Sequence, residues 1–189
     1  NVDTVIATAS GALGAAIGVV TNIITTDHST SVVVTGTSTD KSSLTGTSVS
    51  VDADAKEGIS SLLIAASGAE YAAVSASVNV NRQLSDVSAA VDQTEELGSF
   101  AQNANYLGRI TTSAITAAGS QYAAVPISVV INYADNAVSS SVAHSILRAE
   151  GQSASVGANR ISEFSSLNVT ASGAMYGAAA GLVNVNTIE

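Results

Sequence analysis

Hydrophobic and polar residues alternate in four segments of the chain, and each segment follows a glycine. In the second segment the alternation runs from Val74 to Val80, and in the third it runs from Val125 to Ile131. A period of two predicts a β-strand with one buried face, and we expect the valines and isoleucines to form that face. A helix is the alternative for Ala-rich stretches such as "YGAAAG". However, β-branched residues at a spacing of two would put apolar groups all round a helix.

The four segments are copies of one phrase. They read "GALGAAIGVVTNII", "GAEYAAVSASVNVN", "GSQYAAVPISVVIN" and "GAMYGAAAGLVNVN". Their first residues are Gly11, Gly68, Gly119 and Gly173, which lie 57, 51 and 54 residues apart. The similarity continues downstream, because Val34, Val91 and Val142 each lie 23 residues past their glycine. We therefore interpret the chain as a repeat protein, with the glycine at a corner before each strand.

Strands from copies this far apart can pair only in parallel, through long returns. The returns are rich in Ser, Thr and Val, and only residues 84–108 suggest a short helix. The pattern predicts an all-β fold, a right-handed parallel β-solenoid formed by residues 1–189 as one segment, with about 3.5 copies of a repeat of roughly 54 residues. We expect each repeat to supply two or three coils of roughly 18 to 27 residues, and the whole to form a rod roughly 35 to 50 Å long.

Composition favours thin, regular layers. Hydrophobic residues make up 46% of the chain but aromatic residues only 4%, so the apolar volume comes from small and β-branched side chains. The net charge is −9 and the six basic residues are scattered, which argues against nucleic-acid binding. The absence of cysteine excludes disulfides and thiolate metal sites, and it is typical of many extracellular proteins. The apolar runs are about half the roughly 20 residues that span a bilayer, so no membrane insertion is expected.

Asparagines recur at the end of the alternating segments. One interpretation is a polar row that binds carbohydrate; the other, which we favour, is a structural row that stacks as a ladder or ends the strand at a corner. The residues concerned are Asn22, Asn79, Asn81, Asn132, Asn184 and Asn186.

Tyrosine occupies the fourth position of three copies, as Tyr71, Tyr122 and Tyr176, and Gly14 replaces it in the first. An exposed row of tyrosines would be a stacking surface for sugar rings. Packing as spacers against small neighbours is the simpler alternative.

Other candidate sites are weak. Asp52, Asp54 and Glu57 have carboxylates spaced for a hard cation, but they lack a glycine-led ligand loop and fit a solvated loop better. His28 and His144 have no metal-ligand spacing and are expected at the surface. No nucleophile elbow or phosphate loop occurs. The sequence therefore predicts no enzyme activity, no cofactor and no metal.

The repeated phrases resemble a known family. With their upstream residues, "LLIAASGAEYAAVSASVNVN" and "LNVTASGAMYGAAAGLVNVN" are similar to the repeats of very large filamentous adhesins of Gram-negative bacteria, including the leukotoxin-family filamentous adhesins of anaerobes. The resemblance implies an exported chain of parallel β-helix that projects from the cell surface, with no catalytic residues. The chain departs from the pattern at Gly14 and at Pro126, which must lie where no ladder N–H is needed.

These observations lead to one functional hypothesis with alternatives. The chain is expected to be a structural or adhesive segment of an extracellular bacterial adhesin or filament, acting as a stiff presenting rod. Its expected partners are identical or neighbouring repeats end to end, and a host or biofilm glycan. One alternative is a subunit that polymerises end to end into an extracellular fibre, because the chain stops within the fourth copy and leaves a sheet edge there. A glycan-binding or polysaccharide-degrading β-helix is a further alternative; degradation would need clustered Arg or Lys with acids on one face.

Overall fold

The computed structural model describes residues 1–148 and 152–189, and these residues form strands and short connections. The strands are β1 (Val2–Ala12), β2 (Ala15–Thr35), β3 (Ser42–Ala69), β4 (Ala72–Asp92), β5 (Thr94–Ser120), β6 (Ala123–Ala143), β7 (Ile146–Arg148), β8 (Ala154–Gly173), β9 (Gly177–Ala178) and β10 (Gly181–Ile188). Within this described part of the chain no helix is long and apolar enough to cross a membrane.

Successive long strands alternate between two sheets, and every pairing is parallel. Sheet A has the order β1-β3-β5, with β7 and β8 both paired to the free side of β5. Sheet B has the order β2-β4-β6, with β9 and β10 both paired to the free side of β6. The predicted all-β fold with parallel strands is confirmed.

The suggested short helix at residues 84–108 is wrong. These residues form the end of β4 and the first half of β5. Their Ser, Val and Asn side chains alternate between buried and accessible positions, and both strands have partners on both sides. Pairing with neighbours therefore outweighs the local helical preference.

The repeats stack in direct register. Gly11 lies opposite Gly68, Gly68 opposite Gly119, and Gly119 opposite Gly173. Each repeat thus supplies one long strand to each sheet, and the expectation of two or three coils per repeat is wrong. The physical reason is that the Ser/Thr-rich returns continue the strands instead of turning. At ~4.8 Å between strands, the four layers span roughly 14 Å from first to last, not 35 to 50 Å.

The strands are long compared with the height of the stack. The 28 residues of β3 extend over roughly 90 Å at ~3.3 Å per residue. The described chain is therefore broader along its strands than it is tall along the stacking direction.

The sheets are joined at two ends. At one end the connections are short, and they stack through backbone hydrogen bonds such as Gln121 N–H to the Glu70 carbonyl (2.9 Å). The repeat glycines lie just before this corner, inside strands; Gly68, for example, precedes the last residue of β3. A Cβ atom at Gly68 would meet nothing within 4 Å, so the corner does not require glycine there.

At the other end, glycine is required at two positions. At Gly36, in the connection between β2 and β3, a Cβ atom would collide with the backbone oxygen of Gln93. Gly98 has a φ of 114°, a conformation that side chains disfavour, and a Cβ atom there would collide with the backbone oxygen of Gly46. It lies beside the register shift between Thr45 and Ser48, where β3 makes an irregular step against β5. This β-bulge lets the Thr-Gly-Thr segment stay within the sheet.

Pro126 lies within β6, opposite Ser75 of β4. On its other side the pairing is interrupted, because β9 ends at Ala178 and β10 starts at Gly181. The missing N–H of proline thus coincides with a break in the ladder, as expected for proline inside a sheet.

The interior between the sheets changes character along the strands. We call the part next to the repeat glycines the glycine half, which comprises residues 4–12, 61–69, 112–120 and 166–173 of sheet A and residues 15–24, 72–81, 123–132 and 181–186 of sheet B. The loop half comprises residues 49–55, 100–106, 30–35, 87–92 and 138–143. In the loop half, Val51, Val91 and Phe100 form a buried apolar cluster, and Val87 and Tyr106 belong to a second one.

Candidate functional site

The three repeat tyrosines form a continuous stack at the corner end. The ring centroids of Tyr71 and Tyr122 are 5.4 Å apart with an interplanar angle of 13°, and those of Tyr122 and Tyr176 are 5.2 Å apart with an angle of 14°. The register of the strands causes this stacking, because the backbone of each corner hydrogen-bonds to the previous one, as in Ala123 N–H to the Tyr71 carbonyl (3.1 Å). Gly14 ends the row at the first repeat.

This row is exposed but offers little ring face. Tyr71, Tyr122 and Tyr176 are 54%, 47% and 75% exposed. However, Tyr122 has a ring on each side, so its two faces are occupied by its neighbours. A sugar ring could contact the outer faces of Tyr71 and Tyr176, the two end rings, and the hydroxyl edges of all three tyrosines. The geometry thus supports a stabilising stack more directly than a track for a glycan.

The repeat asparagines of the first three copies lie in the interior, in two rows. Asn22 donates from Nδ2 to Oδ1 of Asn79 (3.2 Å). Asn81 donates to Oδ1 of Asn132 (2.9 Å), and Asn132 donates to Oδ1 of Asn186 (2.8 Å).

These positions correct part of the sequence interpretation. Asn81 does not end its strand, because β4 continues to Asp92. Asn79, Asn81 and Asn132 are buried, so they are inaccessible to a carbohydrate, whereas Asn184 is exposed on β10.

The asparagine rows also bind the two sheets together. Asn79 of sheet B donates from Nδ2 to Oγ of Ser61 in sheet A (2.7 Å), and Asn81 donates to Oγ1 of Thr112 (2.9 Å). Thr112 in turn donates to Oδ1 of Asn132 (2.9 Å), which closes a ring of three side chains across the interior. Such buried networks are strong when satisfied, and this one spans all the central strands of the glycine half.

The expected buried face of the alternating segments is wrong. Val78 and Val80 point outward, whereas Ser77, Asn79 and Asn81 on the same strand are fully buried. Ser77, Asn79 and Asn81 bond hydroxyls of the other sheet, and these hydrogen bonds compensate the removal of their polar groups from water. The strand prediction itself holds, because a period of two identifies a strand whichever face is buried.

The outer surface of the glycine half is consequently apolar. We call the outward positions of residues 15–23, 72–80, 123–131 and 181–185 the apolar face of sheet B; they carry Ala, Val, Ile and Gly, with a single Thr at position 21. Ile17 and Ile23 are each 70% exposed there. Sheet A has a smaller counterpart that includes Ile64, Ile115 and Val169. Neither apolar face was predicted from the sequence. The signal for them was the recurrence of valine and isoleucine at equivalent positions of the repeats.

The carboxylates near residue 52 interact with side chains of the next repeat. Asp52 accepts from Nδ2 of Asn103 (2.8 Å), and Asp54 accepts from Nδ2 of Asn105 (2.7 Å). Hydrogen bonds from Ser50 and Asn103 hold the pKa of Asp52 below its usual value. Among residues 1–148 and 152–189, no group of three or more His, Cys, Asp and Glu side chains has the arrangement of a metal site.

The charged residues most relevant to a polysaccharide-degrading site lie on the outer side of sheet A. A groove of about 290 Å³ is lined by Asp3, Lys56, Glu57 and Arg109, among others. The guanidinium of Arg109 already pairs with Glu163, with Nη2 to Oε2 at 2.6 Å. This pairing neutralises the arginine that would otherwise attract an acidic polysaccharide.

The two histidines lie at the surface. His144 is in the connection after β6, with a φ of 48°, and its Nδ1 is 3.0 Å from Oδ1 of Asp92. His28 lies in β2, and its Nε2 is 3.0 Å from Oγ1 of Thr30.

No protein-family model, curated protein or solved structure matches this chain. The resemblance to filamentous adhesins is therefore still a prediction from the repeated phrases.

Proposed function

We propose that this chain is a structural segment of an extracellular bacterial adhesin or surface filament. Its two parallel sheets would be the walls of a right-handed β-solenoid. The observation that carries the proposal is the direct stacking of the repeats, in which each repeat glycine lies opposite the next one through four copies. An architecture of this kind can be extended by any number of copies without a new fold.

The right-handed sense follows from a general rule. Connections between parallel strands of one sheet are right-handed in ~98% of cases, because the twist of the strands favours that return. Here the connection from β1 to β3 passes through β2 of the other sheet, so one turn of the solenoid contains one strand of each sheet.

Its proposed mechanical role rests on three continuous ladders. Backbone hydrogen bonds run along both sheets, asparagine side chains bond from layer to layer, and the tyrosines stack at the corner. Because each added repeat contributes only ~4.8 Å along the stack, the segment would be a broad, stiff support rather than a thin rod. Binding specificity would then belong to its connections or to other segments.

The location can be tested in the source bacterium. Antibodies raised against the folded chain should label intact cells, and external protease should remove the signal. An antibody against a cytosolic protein, which should label only permeabilised cells, is the control. Labelling of this chain only after permeabilisation would overturn the proposal.

End-to-end polymerisation is the second candidate. In the described part of the chain, β1 and β8 of sheet A each pair on one side only, and the same is true of β2 and β10 of sheet B. Another copy could continue the register there. The test is light scattering and negative-stain microscopy over a range of concentrations. Fibres that lengthen with concentration would support this candidate, and particles of constant length would exclude it.

A further inference from the structure

The apolar face of sheet B is the largest feature that the proposed function leaves unexplained. It covers four strands at ~4.8 Å spacing and about nine residues at ~3.3 Å each, or roughly 570 Å². That is at the upper end of the largest apolar patch on a typical monomer. None of its outward positions carries a charge. The first charged outward residues, Arg82, Asp27 and Asp135, lie just beyond the edge of the face that is nearest the loop half.

The interior does not need this apolar surface. The outward valines and isoleucines, such as Val78, lie on the side of sheet B away from sheet A, so they contribute nothing to the contact between the sheets. Inward side chains make that contact; they include amides and hydroxyls such as Asn81 and Thr112, and apolar residues such as Val20 and Leu63. A monomer in water would therefore expose the side chains whose burial stabilises most proteins.

The shape of the face restricts its partner. Its side chains are Ala, Val, Ile and one Thr on a pleated surface, and the neighbouring aromatic residues lie past its edges, Tyr71 and Tyr122 at the corner and Tyr133 on the opposite side. Among the described residues, the best-formed grooves lie elsewhere, around residues such as Lys56, Arg109 and Arg160. A flat apolar surface without a concavity fits another flat apolar surface, and two sheets pack in this way at ~10 Å.

We propose that the apolar face of sheet B packs against the same face of a second copy of this chain, with the strands of the two copies antiparallel. The pair of faces would bury roughly 1,100 Å² in total, which exceeds the ~1,000 Å² expected of a biological interface. When the same surface of two copies forms the contact, the result is a closed dimer with two-fold symmetry.

Charge decides the antiparallel arrangement. The chain carries a net charge of −9, and acidic residues such as Asp27, Asp86 and Asp135 lie on the outer side of sheet B between the apolar face and the loop half. If the strands of the two copies ran parallel, these carboxylates would face one another. In the antiparallel arrangement the glycine halves overlap and the loop halves point in opposite directions, which keeps like charges apart.

A lipid bilayer fits this face less well. In the described sheet B, β2 and β10 each have one side without a partner strand. Their N–H and C=O groups would be unsatisfied in hydrocarbon, at a cost of several kcal/mol for each group. In a dimer these edges stay in water while the flat face is buried.

The direct test is analytical ultracentrifugation of the full chain and two variants. Val78→Lys places a charge at the centre of the face, and Ser139→Lys places the same charge on the outer side of the loop half. We expect the wild type and Ser139→Lys to sediment at twice the mass of one chain. Val78→Lys should dissociate at least about 30-fold more readily, as for an interface hot spot. A monomeric wild type, or a dimer that Val78→Lys does not weaken, would overturn the proposal.

A second test uses the absence of native cysteine. Thr21 lies on the apolar face and is exposed, so Thr21→Cys is a mild substitution. Ser139→Cys is the matched control. A short bismaleimide should cross-link two copies through Cys at position 21 but not at position 139. Equal cross-linking at both positions would contradict the antiparallel packing.

The third arm uses vesicles of phosphatidylcholine. Flotation of the wild type with the vesicles, abolished by Val78→Lys but not by Ser139→Lys, would identify lipid as the occupant and overturn the proposal. This inference does not depend on the adhesin role, because a monomer in solution would leave the surface-labelling experiment unaffected.

Discussion

The loop half and the glycine half use the same strands in opposite ways. In the loop half Val51, Val91 and Phe100 are buried between the sheets, while Asp52 and Asn103 point outward. In the glycine half, amides and hydroxyls such as Asn79 are inside and most valines, such as Val78, are outside; Val20 and Val130 are the buried valines there. A period of two is present in both halves, so it determines that a strand forms but not which of its faces becomes the interior.

The two halves are therefore stabilised by different combinations of forces. Burial of apolar area dominates in the loop half, and the cost of truncating a side chain there rises with the size of the group removed. In the glycine half small apolar clusters, such as Val20 with Leu63, are combined with hydrogen bonds between the sheets, such as that of Asn81 with Thr112. Gln102 is a polar residue within the loop half, and its amide donates to the carbonyl of Ala89 (2.7 Å).

The largest expected effect is a cavity in the loop half. Phe100→Ala removes a side chain that is 2% exposed and should lower the free energy of unfolding by about 3–5 kcal/mol. Ile115→Ala, on the outer side of the glycine half, is the matched control and should cost less than about 1 kcal/mol for a monomer. Urea unfolding followed by circular dichroism measures both. Equal losses would contradict the assignment of inner and outer faces.

Alkaline pH should destabilise the loop half specifically. Burial raises the pKa of Tyr106 to about 12, with a smaller contribution from the nearby Glu57 carboxylate. The neutral Tyr106 side chain contributes fully to the stability of the fold below pH ~10, which is the pKa of tyrosine in the unfolded chain. As the pH rises from about 10 to 12, the unfolded tyrosine loses a proton that the folded one keeps, and about 2–3 kcal/mol is lost.

Tyr106→Phe provides the comparison for this pH dependence. Its urea midpoint should fall less steeply than that of the wild type between pH 9 and pH 12, because phenylalanine has no proton to lose. Parallel curves for the two proteins would show that Tyr106 is not the group responsible.

Breaking the polar interior should have an intermediate effect. Asn81→Leu fills a similar volume but removes the hydrogen bonds of Asn81 to Ser61, Thr112 and Asn132, at a cost of about 1–3 kcal/mol. The control is Asn105→Leu, because Asn105 bonds the solvated Asp54 and its loss should be within about 0.5 kcal/mol. If Asn81→Leu stabilised the protein, the glycine half would not have a polar interior.

The smallest expected effect is at the tyrosine row. Tyr122→Ala breaks two stacked pairs and should cost about 1–2 kcal/mol, whereas Tyr176→Ala breaks one pair and should cost about half as much. Unfolding can be followed by tyrosine fluorescence, because the chain has no tryptophan.

The same two variants, Tyr122→Ala and Tyr176→Ala, can be tested on a glycan array for a sugar-binding role. Binding lost in both variants, without a change in stability, would favour a glycan site over a structural stack.

Much of the fold could be predicted because the four copies of the repeat are easily aligned in the sequence. The spacing of Gly11, Gly68, Gly119 and Gly173 predicts parallel pairing in register, and the structure has it residue by residue. The proximity of Tyr71 to Tyr122 follows from the same register. The number of strands per repeat could not be predicted, because Ser/Thr-rich segments have the composition of both turns and strands.

By itself, the sequence determined the strands, their parallel register and the rows of identical residues, since these depend on local alternation and on the repeat spacing. Only the tertiary structure decided which side of each strand is the interior. Asn81 is stable inside because Thr112 of the other sheet, 31 residues away, accepts its hydrogen bond. No local pattern encodes that partner, and without it the amide would belong in water and Val78 in the core.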